Sequence, residues 1–163
     1  MLREIGYDRE AAVKYAKRMA YERNPDYYNF DSLGGDCTNF ASQCIYAGSG
    51  VMNYTPIFGW YYKSLNDRTP SWTGVQYLYD FLVSNLNEGP YGAEISRDGV
   101  QPGDIVQLGN GEGRFYHTPV IVAVRGREIY VAAHTFNAYM RRLDDYIYDK
   151  VRFVHILGVR KKI

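Results

Sequence analysis

Cysteine is scarce: the 163 residues hold two, Cys37 and Cys44. Two thiols cannot make a disulfide scaffold. They also lie seven positions apart in a segment that reads as helical, a rise of roughly 10 Å and beyond the reach of a bridge. Both are therefore expected to be free. Net charge is small as well, because 19 Lys and Arg against 18 Asp and Glu leave +1. That balance excludes a strong field for nucleic acid or an anionic membrane, and no nucleic-acid partner is expected. Long apolar runs are missing too. The longest, VIVAV at 120–124, is five residues, where a membrane span needs about 20. The opening MLREIGYDRE is charged and lacks the apolar core of a signal peptide, so the expectation is a chain without membrane insertion, cytoplasmic unless an export leader has been removed. There is no G-x-S-x-G elbow, and GNGEG at 109–113 has no Lys or helix after it to cradle a phosphate.

Aromatics are plentiful by contrast, with 17 Tyr, 7 Phe and 2 Trp. Tyrosine buries a ring and keeps its hydroxyl wet, so it suits both a half-buried rim and a groove wall. The chain is long enough for one domain, residues 1–163, and shows no repeats or linker. A first helix is expected over residues 8–23, capped by Asp8 and stopped by Asn24-Pro25. A second, over 36–47, starts from the turn Gly34-Gly35 and stops at Gly48 and Gly50. Residues 51–71 read as a long irregular loop. A third helix is expected over 73–87, where Val75, Leu78, Tyr79, Leu82, Val83 and Leu86 form an apolar face. After residue 100 the period switches to strands at 104–108, 115–124, 128–134 and 152–158. Helices first and an antiparallel sheet second make this α+β rather than a doubly wound fold.

Three histidines are available: His117, His134 and His155. His155 lies in the apolar strand FVHIL and reads as a structural histidine. In a hairpin turning near Gly126, paired residues sum to about 252, a consequence of antiparallel pairing. His117 and His134 sum to 251 and should lie side by side. Cys37 sits in the first turn of a helix, where the dipole and an imidazolium both favour thiolate. Together they read as a nucleophile (Cys37), a base (His117) and an orienter (His134). A Cys-His-His zinc set competes with this reading, but no C-x-x-C or H-x-x-x-H spacing supports it. No metal or cofactor is expected. Asp36 is expected to cap the second helix, and Cys44 to be core.

Several strings carry a family resemblance: GGDCTNFASQC, MNYTP, GWYY, PSWTG, QPGDIVQL, FYHTPVIV and AAHTFNAYMRRLDDY. They resemble the bacterial putative amidase domain, a branch of the NlpC-type papain-like cell-wall peptidases. The resemblance runs through nearly the whole chain. It implies a papain-like fold with N-terminal helices packed on a small antiparallel sheet. It places the nucleophile on Cys37, the base on His117 and the third polar group on His134, with Asn137 as a second candidate orienter. Tyr28, Asp36, Trp60, Tyr61 and Trp72 are candidate substrate contacts. The implied activity is cysteine-dependent hydrolysis of an amide or peptide bond through a thioester, with the peptidoglycan stem peptide as the substrate the wider superfamily suggests. The alternatives are a non-catalytic cell-wall or peptide-binding module on the same scaffold, or a thiol acyltransferase.

Overall fold

A computed structural model describes all residues from 1 to 163. The order is β1 (Leu2–Ile5), α1 (Arg9–Met19), α2 (Cys37–Ser49), β2 (Tyr62–Ser64), β3 (Asp67–Arg68), α3 (Pro70–Thr73) and α4 (Val75–Ser84). Seven further strands follow: β4 (Gly89–Ile95), β5 (Ile105–Gly109), β6 (Phe115–His117), β7 (Val120–Arg125), β8 (Glu128–Ala133), β9 (Ala138–Arg142) and β10 (Lys150–Lys162). The protein is α+β, with helices ahead of an antiparallel sheet.

That sheet runs β1-β10-β5-β7-β8-β9, with β4 beside β10 and β6 beside β5. The long β10 organises it. Phe153 and Val154 each pair with both β4 and β5, and Val159 and Arg160 each pair with both β4 and β1. A strand has only two edges, so β4 holds one edge of β10 while β5 and β1 share the other.

Alternation along the strands splits the apolar residues between two cores. Ile105, Val120, Val122, Ala132, Val154 and Ile156 face the helices and meet Ala16, Phe40, Ile45, Trp60, Trp72 and Leu82. Val106, Leu108, Ile121, Ile129, Val131 and Phe153 point the other way and are covered by Val100 and Leu143. Both faces are buried, which is why these strands read as nearly continuous apolar runs. Truncating a fully buried side chain such as Leu82 costs roughly 2–5 kcal/mol.

The helix starts have local causes. Asp8 accepts a hydrogen bond from the Ala11 N–H at 2.9 Å and caps α1. Gly50 ends α2 in the left-handed conformation, with φ 66°. Helices α1 and α2 cross at Gly48, where a Cβ would meet the Tyr7 ring at 2.6 Å and the Asp8 carbonyl at 2.7 Å. Only glycine lets the helices pass that closely. The expected third helix is α4, shortened to Val75–Ser84, and the short α3 precedes it, set apart because Gly74 is extended and its N–H bonds back to Pro70. No helix is long and apolar enough to cross a membrane.

Candidate functional site

The chain enters α2 through Gly34 and Gly35, both at positive φ (86° and 98°), a conformation open chiefly to glycine. Thr135, in the loop after β8, accepts the Asp36 N–H on its Oγ1 at 2.9 Å. It thereby docks that loop against the helix start. Thr135 and Phe136 themselves hold left-handed φ values of 55° and 62°. Such backbone strain persists where surrounding contacts enforce it.

Cys37 is the first residue of α2 and Cys44 lies two turns further on. Both are free thiols. Cys37 keeps 7% exposure while Cys44 keeps none, so a reagent can reach only the first. The Cys37 sulfur lies 3.7 Å from Thr38 Oγ1. Backbone N–H groups of Thr118 and Thr38 favour the charged form of the thiol. Burial pushes the thiol up and is the largest influence. These donors pull it down without cancelling that, and the neighbouring Asp36 charge adds to the rise.

His117 closes β6, opposite Leu108. Its ring lies against Tyr146, with centroids 5.8 Å apart. No protein group hydrogen-bonds its ring nitrogens. Burial, helped by the Arg141 charge, pushes its imidazole down to about 4. Burial thus favours the neutral thiol and the neutral imidazole in the resting site. This corrects the expectation of a thiolate beside an imidazolium. The expected relief from the helix start is present, but dehydration outweighs it. Tyr146 Oη is the one buried side-chain polar atom without a hydrogen-bond partner, and the Arg141 guanidinium lies 3.9 Å from its ring centroid.

His134 goes elsewhere. The hairpin register holds at the sum of 252, with Val120 opposite Ala132 and Ile121 opposite Val131. Beyond Val120, however, Pro119 and Thr118 break the strand, and His117 pairs with β5 instead. His134 stacks on Phe40 with centroids 4.0 Å apart. Its Nε2 donates to the Met19 carbonyl at 2.7 Å, and its Nδ1 lies 2.5 Å from Asp36 Oδ2. Neither nitrogen is left to orient His117. Asn137 does not serve that role either, since it is exposed and accepts from Arg23 Nη2 at 3.0 Å.

Asp36 is fully buried, which removes it from substrate contact. It also makes no side-chain cap on α2, contrary to expectation. Its carboxylate accepts instead from the Phe30 N–H and Asn39 Nδ2, both at 2.9 Å, and meets His134. Burial alone would raise its pKa, but those partners, His134 foremost, hold it below the usual carboxylate value. Because the carboxylate turns inward, Asp36 does not cap the N–H groups of the first turn of α2.

The two tryptophans are likewise corrected. Trp60 and Trp72 are fully buried and form core, donating to Ser42 Oγ and Asn39 Oδ1. Tyr28 and Tyr61 do reach the surface. Tyr61 donates to Asp67 at 2.8 Å. His155, read as structural, meets Asp104 at 2.8 Å. Its partner also accepts from Arg9 and the Ile156 N–H. No cluster of three or more His, Cys, Asp or Glu side chains is arranged to hold a metal ion.

The sequence reading missed a groove of about 500 Å³ lined by Gly34, Thr73, Gln76, Tyr77, Arg114 and Tyr116 among others. Its lining includes Gly34, three residues before Cys37, and Tyr116, next to His117, but neither Cys37 nor His117 itself. It also missed Thr38, Thr118 and Gln107, buried polar residues whose grouping needs three separate elements. The only signal available for them was polarity inside apolar segments.

A family model described as "putative amidase domain" matches residues 6–157. Two relatives, both from Bacillus subtilis (strain 168), are similar over most of this chain. "Uncharacterized protein YhbB" is 37% identical over 144 residues, 85% of this chain and 45% of its own length. "Uncharacterized protein YjcM" is 25% identical over 140 residues, 81% of this chain and 32% of its own length. The chain thus spans less than half of either relative. No solved structure matches. With the match extending from the start of α1 into β10 and across every residue of the site, the chain belongs to the putative amidase domain family.

Proposed function

We propose that this chain hydrolyses an amide or peptide bond with Cys37 as nucleophile and His117 as base. One observation carries the reading. Thr118, the residue after His117, touches Thr38, the residue after Cys37, with hydroxyl oxygens 3.1 Å apart, so the segment bearing an unengaged imidazole abuts a helix-start thiol. As the sulfur bonds to the carbonyl carbon, the thiol proton passes to His117. His117 then gives that proton to the amine as the C–N bond breaks, leaving a thioester. Water attacks the thioester and yields a proton to His117. The leaving thiolate recovers it, and the acid is released. The uncapped N–H groups of α2 are placed to stabilise the oxyanion. His134 and Asp36 hold the helix start instead of orienting the base. The papain-like relationship and the peptidoglycan stem peptide belong to this proposal, and the groove beside Gly34 and Tyr116 is its candidate substrate channel.

The near-complete burial of Cys37 favours one rival, a module on the same scaffold that binds peptide without cleaving it. Mass spectrometry of simple amides and peptidoglycan fragments, incubated with wild type, Cys37→Ala and Cys37→Ser, separates the two. Turnover in wild type alone is expected. Cleavage that persists in Cys37→Ala rules out the thioester. Retained binding with no acyl-enzyme in wild type supports the rival.

A further inference from the structure

A chain of buried polar groups runs from the protein surface to the Cys37 sulfur, and none of their side chains takes a chemical step in the mechanism above. Arg152 contacts Gln107 Oε1 through Nε at 2.9 Å and Nη2 at 2.6 Å. Its guanidinium lies between the rings of Tyr79 and Phe115, 3.6 and 3.9 Å from their centroids. Gln107 Nε2 donates to the Val75 carbonyl at 2.9 Å and reaches Thr118 Oγ1 at 3.3 Å. Thr118 Oγ1 lies 3.1 Å from Thr38 Oγ1, which lies 3.7 Å from the sulfur. Gln107 and Thr118 are fully buried, and Thr38 keeps 1% exposure.

The direction of these bonds follows from donor and acceptor inventory. A guanidinium only donates, so the Gln107 oxygen must face Arg152 and its NH₂ must face Val75 and Thr118. Thr118 Oγ1 then accepts from Gln107, and its own hydrogen is free for Thr38 Oγ1. Thr38, accepting in turn, has its hydrogen left for the sulfur. The geometry points to Arg152, Gln107, Thr118 and Thr38 as a one-way hydrogen-bond relay that aims an O–H donor at Cys37 and so favours its thiolate. With a fixed cation at the far end, every proton in the chain is free to point toward the sulfur once the thiolate forms. In a site dry enough to keep the thiol protonated, such a polarised chain opposes dehydration without placing a charge beside the nucleophile. These four are positioning residues. Their role rests on Cys37 being the nucleophile proposed above, but it is read on the sulfur itself.

The test measures iodoacetamide alkylation of Cys37 against pH, with the labelled peptide identified by mass spectrometry and folding followed by circular dichroism. The profile yields a midpoint, which reports the thiol, and a high-pH plateau, which reports access. Thr118→Val is expected to move the midpoint upward and lower the rate below it about five- to tenfold, the loss of the neutral hydrogen bond that orients the Thr38 hydroxyl. Thr118→Ser is expected to restore the profile to within about twofold. Gln107→Glu accepts from Arg152 but cannot donate to Thr118, so its midpoint should move upward too. Arg152→Met, at the half-exposed end and the variant least able to disturb folding, should slow the rate about two- to threefold with its plateau unchanged. The relay is overturned if Thr118→Val changes only the plateau, if Thr118→Ser fails to restore the midpoint, or if Arg152→Met leaves the midpoint in place. Persistent cleavage by Cys37→Ala would end the catalytic reading while leaving these midpoints to judge the relay.

Discussion

His117 and His134 flank one hairpin, β7 and β8, yet their rings meet opposite surroundings. His134 is enclosed, stacked on Phe40 and bonded at both nitrogens, one of them to a buried carboxylate. His117 has no carboxylate and no hydrogen bond on its ring, and burial with a nearby arginine holds it neutral. A side chain whose bonds are all made holds structure in place. One held neutral with both nitrogens unengaged is able to take a proton and return it. Residue type alone does not separate the two roles, and sequence position favours neither.

The sharpest way to break this comparison is to remove each ring in turn. His117→Ala should lower kcat/KM at least about 100-fold while its thermal melt stays close to wild type. His134→Ala should do the reverse in severity. It strands the buried Asp36 carboxylate, and urea unfolding should show a loss of roughly 3–5 kcal/mol. A stable His134→Ala together with an unfolded His117→Ala would invert the assignment.

Acid sharpens it next. The folded imidazole of His117, at about 4, lies below its unfolded value near 6.5. Between those values the unfolded chain binds more protons, so stability rises with pH across that window and is complete above about 6.5. On acidification it is lost progressively toward pH 4, by up to roughly 3 kcal/mol. Asp36, held below its ordinary value, acts in the same direction lower down. Its contribution is present above about 3.9 and is lost as pH falls through the folded value. Urea midpoints taken at pH 4.5 and 7.5 should diverge in wild type and converge in His117→Gln. The smallest effect belongs to Asn137→Ala, which removes one exposed contact to Arg23. Its stability should change by under about 1 kcal/mol, and a larger loss of turnover would return Asn137 to the site.

Much of the frame was legible because its causes are local. The Asp8 cap, the Gly34-Gly35 turn, the Gly50 stop and the switch to strands after residue 100 all lie in neighbouring residues. The strands β1, β4 and β9 were missed because mixed sequences such as LREI and AYMRR become strands only through their partners, the distant β10 for the first and the neighbouring β8 for the last. The expected helix over 73–87 ended early at Ser84, where Asn85 turns its side chain to the carbonyls of Glu88 and Pro90. At the site, Cys37 and His117 could be named from position. What Asp36 would do could not. A capping residue and a buried ion-pair partner look alike until the loop at 134–135 is docked above the helix. The Thr38–Thr118 contact was equally hidden, since it joins residues 80 apart.

The pairing of Leu2 with Lys162 has a mechanical consequence. In an antiparallel pair the two ends leave from the same side, and the hydrogen bonds lie across the strands. Tension applied between the first and last residues therefore opens β1 from β10 like a zip, one rung after another, rather than shearing all the rungs together. Force entering through the tails is spent on that short strand first, and α2 feels it only after the rungs from Leu2 to Ile5 have parted.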